Sequence, residues 1–405
     1  MKERGLFSGA NRNKIAIYAI CFVNLSYILP SVAMADMVHT FSSYPKEMVM
    51  MTLSLPCLTA LIGTNLIPML QSRFSLKVIT LAALCLTLGA GAISIIFHNN
   101  FIVLLAASGL QGVAYGVFCT IYPLIAAVCF TNHAEQAKVM AGCTAMIQIG
   151  RLTFLLVGGV LADIAWYCIY YLLGLAGVAL VLVFLLLEDC GTVEKKQSDG
   201  PGVFARLVRS GSFWYLASTA ALYLVLYYTV STYASLYVEG YGLGAPSATG
   251  VVSALASAIA VGTSLLSARV SRVTKRYTSA LAFMGLGVGL LLPGCFRALS
   301  AIGLGMIVAS AAKSQQMPFV MRQVSAISDD SLRIGAMAFV QTLINIGYFI
   351  SPQVTTFLGR TLGDGSPSAV YFGSGAVAAA AGVIMLLVEL RRAKRSGPGL
   401  KMLTL

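Results

Sequence analysis

Apolar residues run through this chain in blocks of about 20 or more, separated by short polar or basic connections, a pattern that belongs to segments crossing a hydrocarbon layer. Twelve blocks predict spanning helices: Ile15 to Val38, Met48 to Leu70, Val78 to Phe97, Phe101 to Phe130, Ala137 to Leu161, Ile164 to Leu187, Phe213 to Val238, Ala248 to Ala268, Tyr277 to Phe296, Ala298 to Met321, Ile334 to Leu358 and Ala369 to Leu390. The fold class expected is an all-α polytopic membrane protein. Its organisation reads as a first six-helix bundle over 1-187, a central loop over 188-211, a second six-helix bundle over 212-390 and a basic tail over 391-405. The loop reading rests on EDCGTVEKKQSDGPG, Glu188 to Gly202, whose mixed charge, glycine and proline suit a solvated connection.

The two bundles are copies of one another. GTNLIPMLQSRFSLK, from Gly63 to Lys77, reads against GTSLLSARVSRVTKR, from Gly262 to Arg276, with an offset of 199 positions. AGCTAMIQIGRLTFL, from Ala141 to Leu155, reads against AFVQTLINIGYFISP, from Ala338 to Pro352, with an offset of 197. Parallel repeats of this size are an architecture of membrane transporters, in which two pseudo-symmetric halves rock about a site at mid-membrane.

Composition sharpens the picture. Apolar residues make up 58% of the chain and charged residues 10%, well short of the roughly one quarter charged in a soluble domain. A net charge of +13 invites a nucleic-acid reading, but the placement of the bases opposes it. With the N-terminus inside, all of the 27 basic residues fall in inward connections except Lys46, Arg297 and Arg360 outside and Arg151 and Lys313 within the membrane. The positive-inside rule then places both termini in the cytoplasm, in a cell (inner or plasma) membrane. Nine cysteines show no CxxC pattern, and His39, His98 and His133 lie in or beside connections, so no metal or other cofactor is expected. Basic residues, an apolar run and Ala33-Met34-Ala35 resemble a cleavable signal, but the run is long and has a counterpart beginning at Phe213, so retention is expected.

PMLQSRFSLK, Pro68 to Lys77, resembles the loop signature G-x-L-a-D-R-x-G-R-K of the major facilitator superfamily, keeping Leu70, Arg73, Phe74 and Lys77 and replacing the acid with Ser72. SGLQGVAYG, Ser108 to Gly116, is similar to the family's R-x-x-x-G element with Gly112 kept and Ser108 at the arginine position. Gly150 followed by Gly158/Gly159 resembles the antiporter pattern, with Phe154 and Leu155 in place of its G-P. The likeness covers nearly the whole chain. It implies the superfamily fold, transport by alternating access, a central pathway lined by helices 1, 4, 7 and 10, and a gating-loop role for Arg73 and Lys77 and their repeat partners Arg272 and Arg276.

Candidate binding chemistry starts from the two intramembrane bases. A charge near the bilayer centre costs several kcal/mol, so it marks a functional site by default. Arg151 and Lys313 each lie about 20 Å along their spans at 1.5 Å per residue. No acid is comparably deep: Asp36, Asp163 and Glu239 sit near outer ends. Two bases without an acid call for an anionic cargo, organic or inorganic. A polar and aromatic set accompanies them at helical spacing: Gln111, Tyr115 and Tyr122; Gln148, one turn before Arg151; Gln341, Asn345 and Tyr348. Asn24, Tyr27, Tyr223, Tyr227 and Gln316 complete the candidate cavity. The alternative for each is interhelical hydrogen bonding. Pro30, Pro56, Pro123, Pro318 and Pro352 mark places where helices bend.

The sequence carries no nucleotide-binding GxxxxGK[ST] loop, so transport is expected to run on a gradient, with a coupling proton or a counter-anion. The partners expected are a small-molecule substrate and the lipid bilayer, with no nucleic acid, and the chain is expected to act as a monomer. A proton-coupled multidrug efflux antiporter is the competing transport reading, and the two midplane bases would repel its cationic drugs. A non-transporting membrane sensor would need an output domain, for which the connections leave no room. An enzyme would need a cluster of acids, histidines or nucleophiles at the membrane surface, and none is found.

Overall fold

The computed structural model describes residues 9–130, 132–188, 211–266, 270, 273–274, 277–327 and 333–395. Many hydroxyl side chains inside its apolar helices bond to the backbone of their own helix, where no water competes. In the helix Leu76–Ile96, the buried hydroxyls of Thr80, Thr87 and Ser94 donate to the carbonyls of Leu76, Ala83 and Ala90, four residues back, at 2.7, 3.0 and 2.8 Å. Where a helix starts in a connection, a side chain caps it: Asn100 Oδ1 accepts from the backbone N–H groups of Ile102 and Val103 at 3.2 and 3.3 Å.

In chain order the helices of the first half are α1 (Gly9–Val23), α2 (Met34–Thr40), α3 (Lys46–Leu70), α4 (Leu76–Ile96), α5 (Phe101–Cys129), α6 (His133–Ile164) and α7 (Leu175–Leu186). The second half holds α8 (Gly211–Thr232), α9 (Ala234–Gly240), α10 (Pro246–Leu265), α11 (Thr278–Cys295), α12 (Leu299–Ile327), α13 (Arg333–Thr361) and α14 (Pro367–Arg395). They form two compact units, one of Met1–Lys196 with Ala245–Ala254 and the other of Gln197–Gly244 with Leu255–Leu405.

Among the described residues helix lies along each predicted span, and ten helical stretches are long and apolar enough to cross a membrane. α12 and α13 are 29 residues each and carry Lys313, Gln315, Gln316, Gln341 and Asn345. Among the described residues, three spans depart from a continuous helix. The first is interrupted between α1 and α2 by a 3₁₀ stretch, Ser26–Ser31, that contains Pro30. There the backbone bonds run three residues back, from Asn24 to Cys21, Ile28 to Leu25 and Val32 to Leu29. The seventh is kinked at Tyr233 between α8 and α9. The sixth begins with the 3₁₀ stretch Trp166–Gly174 before α7. Aromatic packing fixes that entry: Tyr167 stacks on His98 at 4.2 Å and Trp166 meets Phe41 edge-on at 5.7 Å. Aromatic rings gathered at a span end match the belt that membrane interfaces favour.

Small residues set the closest helix approaches. In the first unit, Gly63, Gly112 and Gly116 lock α3 to α5, since a Cβ on Gly63 or Gly116 would overlap the carbonyl of Val113 or Ala60. In the second, a Cβ on Gly287 would lie 2.8 Å from the Cα of Ala379 in α14, and one on Gly289 2.7 Å from the carbonyl oxygen of Gly305 in α12.

Candidate substrate-binding residues

Within the first unit the candidate residues gather where α1 gives way to its 3₁₀ stretch. Gly150 of α6 brings this about, because its missing side chain leaves room for the carbonyl of Phe22 and draws the end of α1 against α6 beside Arg151. Asn24 and Gln111 are buried here. The Asn24 amide exchanges weak hydrogen bonds with the Cys119 thiol at 3.8 and 3.9 Å, and Gln111 Nε2 donates to Ser26 Oγ at 3.4 Å. The rings of Tyr27 and Tyr115 pack with centroids 4.5 Å apart. Arg151 is half-buried, and its Nε–H is shielded from solvent with no hydrogen-bond partner. Gln148, one turn earlier on α6, is likewise half-buried. The Arg151 guanidinium therefore holds an unused donor.

Within the second unit, Lys313 of α12 lies between two aromatic faces. Its ammonium is 4.4 Å from the centroid of Tyr227 on α8 and 5.9 Å from that of Tyr348 on α13. Each ring's negative face contributes roughly 0.5 to 2 kcal/mol toward holding a cation that lacks an acid. The phenol of Tyr227 hydrogen-bonds Ser310 Oγ at 3.2 Å, and Tyr348 packs on Tyr228 at 4.8 Å. Gln341 Nε2 donates to Asn345 Oδ1 at 3.4 Å, one turn on, so both lie on the same face of α13 as Tyr348.

Two further candidates point into the unit's packing. Gln316 is fully buried and donates to Ser279 Oγ of α11 at 2.9 Å, leaving its Oε1 without a partner. Tyr223 is fully buried with its ring edge-on to Phe283 at 5.1 Å and its hydroxyl unpaired. Ser26, Cys119 and Ser310 were missed from sequence, although Cys119 follows Tyr115 by four and Ser310 precedes Lys313 by three, the spacings of a shared helical face.

Arg73, in the loop after α3, is exposed, and Lys77, in the first turn of α4, sits over the ring of Phe184 of α7 at 5.6 Å. Arg272 and Arg276 lie outside the described residues, as does nearly all of the central loop. Among the described residues no group of three or more histidines, cysteines, aspartates or glutamates is placed to hold a metal ion.

The family model described as Major Facilitator Superfamily matches residues 15–314. The chain belongs to the major facilitator superfamily. The fold agrees with solved structures of other members. One is a bacterial homolog of the human lysosomal transporter Spinster, in an inward-facing, unoccupied conformation, at 14% identity and a TM-score of 0.76, with 95% of this chain and 96% of that one covered. The nucleoside transporter NupG matches at 10% identity and a TM-score of 0.78, with 92% and 99% covered. A D-xylose–proton symporter matches at 13% identity and a TM-score of 0.63, with 92% and 96% covered. No curated protein matches at the level of sequence. Family membership makes this superfamily protein a secondary transporter of a small molecule, embedded in a membrane and belonging to a group of transporters rather than enzymes.

Proposed function

We propose that this superfamily member carries a small organic or inorganic anion by alternating access, with Arg151 and Lys313 as the cationic contacts from the two halves. The observation that carries the reading is the charge pattern. Each half places one base deep in its spans, and the described aspartates and glutamates lie in connections or toward helix ends. The shielded, unpartnered Nε of Arg151 and the tyrosine-faced ammonium of Lys313 support it, because each retains donor capacity for a carboxylate or phosphate oxygen. Asn24, Gln111, Tyr115 and Gln148 of the first half, and Tyr227, Gln341, Asn345 and Tyr348 of the second, are proposed as further substrate contacts. The reading includes cytoplasmic termini in the cell's inner or plasma membrane, a monomer, and movement driven by a proton or counter-anion gradient.

The test is uptake into proteoliposomes loaded with and without a pH gradient, over labelled mono- and dicarboxylates, a phosphate ester, a neutral sugar and a cationic dye. Anions alone are expected to enter through the protein, and Lys313→Gln is expected to lower that entry about tenfold or more, the loss of one charged hydrogen bond. Saturable uptake of the dye, with Lys313→Gln indifferent, would instead establish drug efflux.

A further inference from the structure

Two cavities of opposite chemistry meet at one side chain in the first unit. The first, of about 280 Å³, is an apolar groove between α1, α6 and α7, walled by Ile15, Tyr18, Phe22, Met146, Val178 and Leu182. The second, of about 360 Å³, is polar and is lined by Lys14, Tyr18, Asn132, Glu135, Lys138 and Val139. Tyr18 borders both. Its place is made by Gly142 of α6, where a Cβ would overlap the phenol oxygen.

The electrostatics of the polar end favour an anion. Lys14 Nζ bonds Glu135 Oε1 at 2.7 Å and stands over the ring of Phe130 at 5.5 Å. An ammonium carries three donors, so that pairing leaves others for a second oxygen. Lys138 follows Glu135 by three residues on α6 and is exposed, which gives the cavity a net positive charge. Along α1 the groove runs from Ile15 to Val23, about 12 Å at 1.5 Å per residue, a length that takes roughly the first half of an acyl chain. The exposed side chains of Ile15 and Val178 show that the groove opens at the unit's surface.

We infer that the first unit binds one anionic phospholipid, its phosphate at Lys14 and Lys138 and one acyl chain in the groove between α1, α6 and α7. A free phosphate would use the lysines without the groove, and a neutral lipid the groove without the lysines. Only a lipid with a negative headgroup uses both. This inference is independent of the proposed cargo site, since none of these residues belongs to it.

The experiment is native mass spectrometry of the full chain in detergent, titrated with dimyristoylphosphatidylglycerol, dimyristoylphosphatidylcholine or inorganic phosphate. One phosphatidylglycerol per chain is expected, held more tightly than phosphatidylcholine. Lys138→Gln, at an exposed site, is expected to weaken it about fivefold, and Lys14→Gln with Lys138→Gln about 25-fold. Ala19→Phe and Val178→Trp, which fill the groove from two sides, are each expected to weaken the lipid about tenfold while leaving phosphate adducts unchanged. Equal retention of the two lipids would overturn the inference, as would indifference to the lysine changes. Phosphate that displaces the lipid while both groove variants bind normally would make this a free-anion site, and an adduct with the mass of a second chain would make the groove a self-contact.

Discussion

Replacing Arg151 with glutamine is expected to reduce anion uptake in proteoliposomes by about 10- to 100-fold, the range set by removing one charge-assisted hydrogen bond from the bound state. Arg151→Lys should fall between wild type and Arg151→Gln, because lysine restores the charge but not the planar fork that grips two oxygens at once. Stability separates this role from a structural one. The Nε–H of Arg151 makes no hydrogen bond, so glutamine removes a charge from the membrane interior without removing that group's partner. The melting temperature of Arg151→Gln in detergent is therefore expected to match or exceed that of wild type. A variant that no longer carried anions and melted well below wild type would assign Arg151 to holding α6 in place.

The largest loss of stability is expected from Gly116→Val. A Cβ at Gly116 would overlap the carbonyl of Ala60 and approach the Ala60 Cα at 2.9 Å, and the atoms in the way are backbone, which cannot rotate aside. Prising α3 from α5 also strains the bond from Thr64 Oγ1 to the Gly116 carbonyl, 3.3 Å long. Overpacking of this kind costs about 1 to 3 kcal/mol. The matched control is Gly89→Ala on α4, where nothing lies within 4 Å of the added Cβ and alanine is the better helix former. Thermal-shift measurements should show Gly116→Val far below wild type and Gly89→Ala level with it or slightly above. Equal melting for the two variants would refute the tight α3–α5 packing.

Much of the architecture was legible because a bilayer imposes a simple demand. Runs of about 20 apolar residues forecast where helices would form. Hydropathy is silent on how a span is wound, so the 3₁₀ stretches at Ser26–Ser31 and Trp166–Gly174 look like ordinary helix in the sequence. Pro30 hinted at the first. The second depends on the stacking of Tyr167 on His98, a contact between distant parts of the chain. Depth along a span singled out Arg151 and Lys313, but direction around the helix axis depends on neighbours that spacing does not name. Hence the ring of Tyr227 beneath Lys313 and the thiol of Cys119 beside Asn24 emerged only with packing.

The interruption of the first span and the kink of the seventh differ in their backbone bonding. At Tyr233 the four-back bonds survive, from Tyr233 to Thr229 at 3.0 Å and from Tyr237 to Tyr233 at 2.9 Å. Around Pro30 they give way to three-back bonds of poorer geometry, over a stretch with one donor fewer. The first span therefore has weaker backbone bonding against bending here than the seventh, and Asn24 stands just before that 3₁₀ stretch.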